Sequence, residues 1–444
     1  MQVSRRQAIK ILSGSAAASL IGGRPAISRA QPPPPPIPTG LLNKTRNGVP
    51  IDINDPEWPL YFCNVKEAWT KSKGKGINIW HTDTGYTIHP ELIAGDRVLD
   101  KRGSSFFPRI FGVQAQRDAS DLMDGIHNGH GTHTGALIMS GEGHPSSSGN
   151  FPNYTPSKFV SGFAPEAFLI PARVTNTPIL EFPRLGYVLE WLAGSGVGAV
   201  PSLTAAIRKA AGINMYLMSL MAAIPSDPSS VDDQISVISI SLGAFINNPA
   251  LAAAIGEARK AGIVVIAAAG QDWMDPDSDF FETINHILPV AYPGQYPETI
   301  SVAACTHQFE KYKIGLYGPE VDVTAPGVLI WKARVRGGQG GSPFEFDIFQ
   351  DHGTSFSVAF TAGACALWFG YHGRAALLNR YGIKDSAGKI VDATKIGEAF
   401  RTSLLSSCDR NPAPWRNPEY VAKPNRGVGV LNVDQLLNTP LPNL

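Results

Sequence analysis

The stretch ISVISISLGAFINNPALAAAIGEARKAGIVVIAAAG, running from Ile235 to Gly270, decides the fold. Its outer parts, Ile235 to Leu242 and Ile263 to Ala269, are β-branched and apolar nearly throughout, without in/out alternation. That is the pattern of strands buried on both faces of a parallel sheet. Between them Leu251 to Lys260 has helical composition, and Gly262 stands where a helix-terminating glycine is expected. Strand, helix and strand in this order outline a βαβ crossover, a connection that is right-handed in nearly all cases.

Runs of the same kind recur at Ile77 to Ile79, Phe168 to Val174 and Thr299 to Ala304. Strands buried on both faces need helices on both faces, so the expected fold is α/β: a three-layer αβα arrangement around a mostly parallel central sheet. In open sheets of this kind sites form where strands end and helices begin. The 444 residues are 43% hydrophobic and 17% charged, enough apolar material for one large core. With 38 basic and 37 acidic residues the formal charge is +1, which removes the electrostatic footprint of a nucleic-acid or anionic-membrane binder.

Three segments carry chemistry-bearing residues at such strand and helix ends. In INIWHTDTGY, Asp83 follows an apolar strand and precedes Thr84 and Gly85; alone, this is ordinary turn chemistry. In NGHGTHTGALI, His130 heads a helix, with its side chain free of mid-helix packing. His133 lies one turn on, yet no acid stands between the two as in a zinc-binding HExxH helix. Upstream, Asp118, Asp121 and Asp124 are candidate calcium ligands, with a solvated loop as the plainer alternative. In DHGTSFSVAFTAGACALWFG, the helix from about Thr354 to Trp368 is apolar on every side and therefore expected to be buried. Ser355 sits in its first turn, where unpaired N–H groups can receive a developing oxyanion; Gly353 is expected to let backbone approach closely.

Taken together, Asp83 in DTG, His130 in HGTH and Ser355 in GTS, in that chain order, resemble the three signature regions of the subtilase family of serine peptidases. GFAPEAFLIPARV (162–174), VISISLG (237–243), YPETISVAA (296–304), VDVTAPG (321–327) and GVGVLNVDQLL near the C-terminus extend the resemblance over roughly Asp55 to Leu437. It implies a subtilisin-like fold and a serine endopeptidase acting on polypeptides, with Ser355 as nucleophile, His130 as general base and Asp83 as orienting acid. It further implies that Ser241, Leu242 and Gly243 bind an extended substrate through backbone hydrogen bonds, while Ala268, Ala269 and Gly270 wall the specificity pocket. No cofactor is required by that chemistry. An α/β-hydrolase esterase is disfavoured, since GTSFS is not GxSxG and the histidine precedes the serine.

The chain departs from the family pattern in places. Gln271 stands where the family usually has an asparagine whose amide donates to the oxyanion; the donor is kept, on a stem one methylene longer. The oxyanion hole expected here is therefore Gln271 with the Ser355 backbone N–H. A catalytically impaired, peptide-binding subtilase is the alternative reading. Ala359 replaces a usual proline, and His81 precedes Asp83 where small or aliphatic residues are commoner; a hydrogen bond near the three segments is one reading of it, a satisfied core histidine the plainer one. Residues 175–233, including LTAAIRKAAG and YLMSLMAAI, exceed what a compact member needs, and are expected to reshape the cleft or offer a Met-rich apolar surface.

The first 30 residues, with Arg5 and Arg6 before an Ala-, Gly- and Ser-rich apolar run and a small-residue site near Ala30, resemble a twin-arginine signal peptide. They imply export to the periplasm or medium and a mature chain beginning near Gln31. Residues 31–54 read as a Pro-rich linker, 55–437 as the catalytic domain and 438–444 as a tail. No later run is long and apolar enough to be expected to span a membrane after signal removal. Cys63, Cys305, Cys365 and Cys408 lie far apart without metal-ligand spacing, and no pairing is assigned.

Overall fold

A computed structural model of the chain describes residues 45–46, 49–93, 97–99, 102–106, 119–121, 129–142, 154, 158–176, 178–181, 199–223, 232–244, 246–271, 289–337, 344–409 and 427–444. In chain order the elements that frame the site are β1 (Asn78–Asp83), β2 (Ser104–Ser105), α1 (His130–Met139), β3 (Phe168–Arg173), β4 (Ile179–Glu181) and α2 (Ala199–Ala223). They continue with β5 (Ile235–Ile240), β6 (Gly243–Ala244), α3 (Pro249–Lys260), β7 (Val264–Ala268), β8 (Ile300–Cys305) and β9 (Val323–Pro326). Then come β10 (Ile330–Gly337), β11 (Phe344–Asp351), α4 (Thr354–His372), α5 (Arg374–Tyr381), α6 (Thr394–Ser407) and α7 (Val433–Asn438).

Seven strands form one sheet in the order β9-β8-β7-β5-β1-β3-β2, and each neighbouring pair is parallel. Helices α1 and α4 pack together over one face and α2 and α3 over the other, which completes the expected three layers. The βαβ crossover is present as β5, α3 and β7. Asn248 caps α3, its side chain accepting from the N–H groups of Ala250 and Leu251 at 3.0 and 3.1 Å. Gly262 follows the helix with φ +70°, the left-handed conformation that glycine adopts without a Cβ penalty.

The strand order reverses at β1. From it the chain runs through α1 to β3 on one side, then returns to β5 on the other. The crevice outside the carboxyl end of β1 is thus the switch point at which ligands gather in such sheets. Strand β1 is longer than its apolar run, which stops at Ile79, because the polar residues beyond it find buried partners. Thr82 Oγ1, for example, donates to the Ser239 carbonyl at 2.8 Å. Helix α4 is buried from Thr354 to Phe369 and runs on to His372, one turn past its expected end.

Two expectations are revised. In the described part of the long segment before β5, the apolar residues Leu203, Ala206, Ile207, Ala210 and Met218 of α2 turn inward and are buried in the main core, because the helix covers the sheet beside α3. The packed domain begins ahead of Asp55. Ile51 and Ile53 are buried, and the Ile53 carbonyl accepts from Trp331 Nε1 and Gln350 Nε2, both at 2.9 Å. Before them, Thr45–Arg46 pairs antiparallel with Val49–Pro50. Outside the main sheet, β10 and β11 form an antiparallel hairpin with Ile330 opposite Asp351. Its signal was present in the period-two spacing of Phe344, Phe346 and Ile348 against Glu345 and Asp347. The signal-like residues 1–30 lie outside the described residues. No helix among the described residues is long and apolar enough to cross a membrane.

Candidate active site

Asp83 is the last residue of β1, His130 the first of α1 and Ser355 the second of α4. The fold brings these three ends together: His130 Nδ1 lies 2.7 Å from Asp83 Oδ1, and His130 Nε2 lies 3.0 Å from Ser355 Oγ. All three side chains are largely buried, with Asp83 wholly so and Ser355 retaining 9% exposure where it lines the adjoining cleft.

The closeness of α1 to the turn after β1 depends on Gly131. A Cβ at that position would sit 1.9 Å from the Gly85 carbonyl oxygen and 3.2 Å from the Asp83 Cβ. Polar bonds then tie turn to helix. Thr84 Oγ1 donates to Asp121 Oδ2 at 2.6 Å, Gly129 N donates to the same oxygen at 3.1 Å, and Gly131 N donates to Thr84 Oγ1 at 3.1 Å. Asp121, a candidate calcium ligand by sequence, therefore acts here as a strut; Asp118 and Asp124 lie outside the described residues. Among the described residues no cluster of three or more His, Cys, Asp or Glu is arranged to hold a metal ion. His133 is buried within α1.

Burial works to raise the Asp83 carboxyl, but its interactions with His130 and the Thr84 N–H outweigh it and hold the group below the ordinary carboxylate value. Thr84 N donates to Asp83 Oδ1 at 2.7 Å, and Thr134 Oγ1 lies 3.2 Å from Asp83 Oδ2. His81 is no isolated core histidine: its Nε2 lies 2.9 Å from Thr134 Oγ1 and 3.6 Å from Asp83 Oδ2. Neither Thr84 nor Thr134 was singled out by the sequence. Only their spacing to Asp83 and His130, one residue in a turn and four in a helix, pointed to them.

An open cleft adjoins Ser355, lined by Ser241, Leu242, Gly243, Ala268, Gly270, Gln271 and Ala291 among others. Of the six expected substrate-binding residues only Ala269 is absent from it; the alternation of the backbone turns it into a core cluster with Val290, Ala303 and Val321. Gly243 N is already bonded to the Pro178 carbonyl at 3.1 Å. Ser355 Oγ also lies 3.2 Å from the Ser241 carbonyl, and Ser241 Oγ returns a bond to the Ser355 carbonyl at 3.2 Å.

Gln271 Oε1 accepts from Thr354 N at 2.7 Å. It thereby satisfies the first N–H of α4, whose own cap residue, Gly353, has no side chain to do so. With its oxygen so engaged, the amide presents its NH2 group as the remaining donor. The Ser355 N–H, in the first turn, has no carbonyl four residues back within the helix. Gly353 is extended, with φ 169°, and an added Cβ would meet Gln271 Oε1 at 3.4 Å, an ordinary contact; the close backbone neighbour is Gly327, whose carbonyl accepts from Gly353 N at 2.7 Å. The four cysteines are buried, and burial pushes the Cys365 thiol well up.

A sequence model described as "Subtilase family" matches residues 74–384. The thermostable alkaline protease of Halalkalibacterium halodurans is 26% identical over 275 residues, covering 62% of this chain and 54% of that protein. The major intracellular serine protease of Bacillus subtilis is 27% identical over 293 residues, covering 65% and 69%. The chain thus spans about half the length of the first of these relatives. A solved protease structure from Pseudoalteromonas arctica superposes with a TM-score of 0.59 at 21% identity, over 87% of this chain and 98% of that one, a likeness of fold.

Proposed function

The chain belongs to the subtilase family, and from this footing we propose that it is a serine endopeptidase that cleaves polypeptides through an acyl-enzyme on Ser355. The observation that carries the reading is the unbroken line of Asp83, His130 and Ser355, linked at 2.7 and 3.0 Å beside a cleft at the carboxyl edge of the sheet.

In this mechanism Ser355 Oγ attacks the peptide carbonyl as its proton passes to His130 Nε2. Asp83, ionised and fully buried, holds the Nδ1–H tautomer and offsets the charge that forms on the ring. The C–N bond breaks as His130 returns the proton to the leaving amine. Water then yields a proton to His130, attacks the ester carbonyl, and the serine oxygen departs with that proton. The oxyanion is received by the Ser355 N–H and the Gln271 NH2, groups fixed before the reaction begins. An extended substrate pairs through backbone hydrogen bonds with the 241–243 segment, whose Gly243 N–H is already bonded to the Pro178 carbonyl. The chemistry uses side chains and backbone N–H groups alone.

Export by the twin-arginine route belongs to the same reading, carried by Arg5, Arg6 and the apolar run after them. N-terminal sequencing of the exported chain, expected to start near Gln31, checks it. For the activity, the test is a fluorophosphonate probe: the folded chain is labelled on Ser355 and the Ser355→Ala variant is not. A folded chain that resists the probe and leaves unfolded polypeptide uncut would instead be a peptide-binding subtilase.

A further inference from the structure

The endopeptidase reading leaves one buried histidine beside the triad without a task. His81 is two residues before Asp83 on β1, so both side chains leave the same face of the strand, toward α1. Thr134 is four residues after His130 on α1, so those two share the helix face that meets the strand. The four residues thus form a compact set: His81 Nε2 to Thr134 Oγ1 at 2.9 Å, Thr134 Oγ1 to Asp83 Oδ2 at 3.2 Å, and Asp83 Oδ1 to His130 Nδ1 at 2.7 Å.

Thr134 has one hydroxyl proton and three acceptors in reach: Asp83 Oδ2 at 3.2 Å, the His130 carbonyl at 3.0 Å and the Gly131 carbonyl at 3.4 Å. A helical threonine left to itself bonds back to the carbonyl one turn earlier. The tautomer of His81 decides otherwise. Its Nδ1 is buried with no hydrogen-bond partner among the described residues. A proton there would be an unpaired buried donor, and Nε2 would then claim the threonine's only proton. With the proton on Nε2 instead, the bare Nδ1 is the cheaper orphan. His81 then donates to Thr134 Oγ, which is polarised into a better donor and faces a carboxylate, the strongest of its three acceptors. Burial lowers the proton affinity of the His81 ring, against the pull of Asp83 and with the help of His130, and so keeps it a neutral donor.

We propose that His81, acting through the Thr134 hydroxyl, is a positioning residue for Asp83: a second hydrogen-bonded arm that holds Oδ2 while His130 and Thr84 hold Oδ1. With both oxygens tied, the carboxylate cannot turn about its Cβ–Cγ bond. The imidazole it orients therefore keeps Nε2 on Ser355. This rests on the endopeptidase reading for its purpose, but not for its geometry.

The test separates the two. In the full chain carrying 15N-histidine, the His130 Nδ1–H resonance is recorded at low field for the wild type, Thr134→Val, His81→Leu, the double variant and His81→Gln. Thr134→Val keeps the shape and removes the donor. His81→Gln keeps a donor near the Nε2 position. Fewer donors on Asp83 leave it pulling harder on the remaining proton, so Thr134→Val and His81→Leu move the resonance downfield alike, the double variant moves it no further, and His81→Gln restores it. Labelling of Ser355 by the fluorophosphonate slows about tenfold in the same variants and recovers with His81→Gln. An unmoved resonance in Thr134→Val, or additive effects in the double variant, overturns the arm whether or not Ser355 reacts. If His81→Leu fails to fold, the contrast between Thr134→Val and His81→Gln decides by the same criteria. A wild type that shows the resonance shifts in its variants yet is never labelled overturns the endopeptidase reading alone.

Discussion

Gly131→Ala tests the contact on which the triad depends. In most helix positions this substitution stabilises by about 1 kcal/mol, because alanine loses less backbone freedom on folding. Here the new methyl would lie 1.9 Å from the Gly85 carbonyl oxygen, with the Gly85 carbonyl carbon and Asp83 Cβ just beyond it at 3.1 and 3.2 Å. The obstructing oxygen belongs to backbone, which has no rotamer to change. To reach an ordinary contact, the start of α1 and the turn after β1 must part by about 1 Å or more. The expected net loss of stability is about 2 kcal/mol, the overpacking cost exceeding the propensity gain. The same displacement falls on the 2.7 Å bond between His130 and Asp83, and a shift of about 1 Å there is expected to slow Ser355 labelling about 100-fold. Urea unfolding in a Ser355→Ala background, which removes self-digestion, measures the first effect, and timed labelling in the native background measures the second. Gly212→Ala is the control: it lies in α2 with nothing within 4 Å of an added Cβ, so it should stabilise. A Gly131→Ala chain as stable as the control and labelled at the wild-type rate would refute the reasoning.

Acid sensitivity should trace in part to His89. It is fully buried, its Nδ1 accepts from Glu91 N at 3.1 Å and its Nε2 donates to the Asp347 carbonyl at 3.2 Å. Burial lowers its pKa to about 4, and a second ring proton would point at the Glu91 N–H. Between about pH 6.5 and 4 the unfolded chain binds the proton and the folded chain does not, so stability is full above that window and falls by about 3 kcal/mol across it. Denaturant titrations at pH 7 and 4.5 should show the slope shrinking in His89→Asn; an unchanged slope rejects the assignment. Gln271→Leu removes both the proposed oxyanion donor and the acceptor for Thr354 N. Peptide hydrolysis should fall about 10²- to 10³-fold, the loss known for the equivalent donor in subtilisin, and an unaltered rate would exclude the amide from catalysis.

The strands around Ile238, Val265 and Val302 were legible because burial on both faces leaves a nearly unbroken apolar run, a local property of the chain. Asp83, His130 and Ser355 were legible through the resemblance of DTG, HGTH and GTS, in that chain order, to the subtilase signature regions; their places at the ends of such elements showed only where a site could form. The hairpin of β10 and β11 was legible in principle, through its alternation.

Other features are decided by the three-dimensional packing alone. That Asp121 is a strut between turn and helix, that Gln271 turns its oxygen to Thr354, and that His81 reaches Asp83 through Thr134 all depend on how α1 and α4 seat against the sheet. His81 and Thr134 are 53 residues apart, Gln271 and Thr354 83. A hydrogen bond needs its partners placed to within a few tenths of an ångström. Local sequence patterns set which face of an element is buried, whereas that finer placement comes only from the contacts of the whole packed domain.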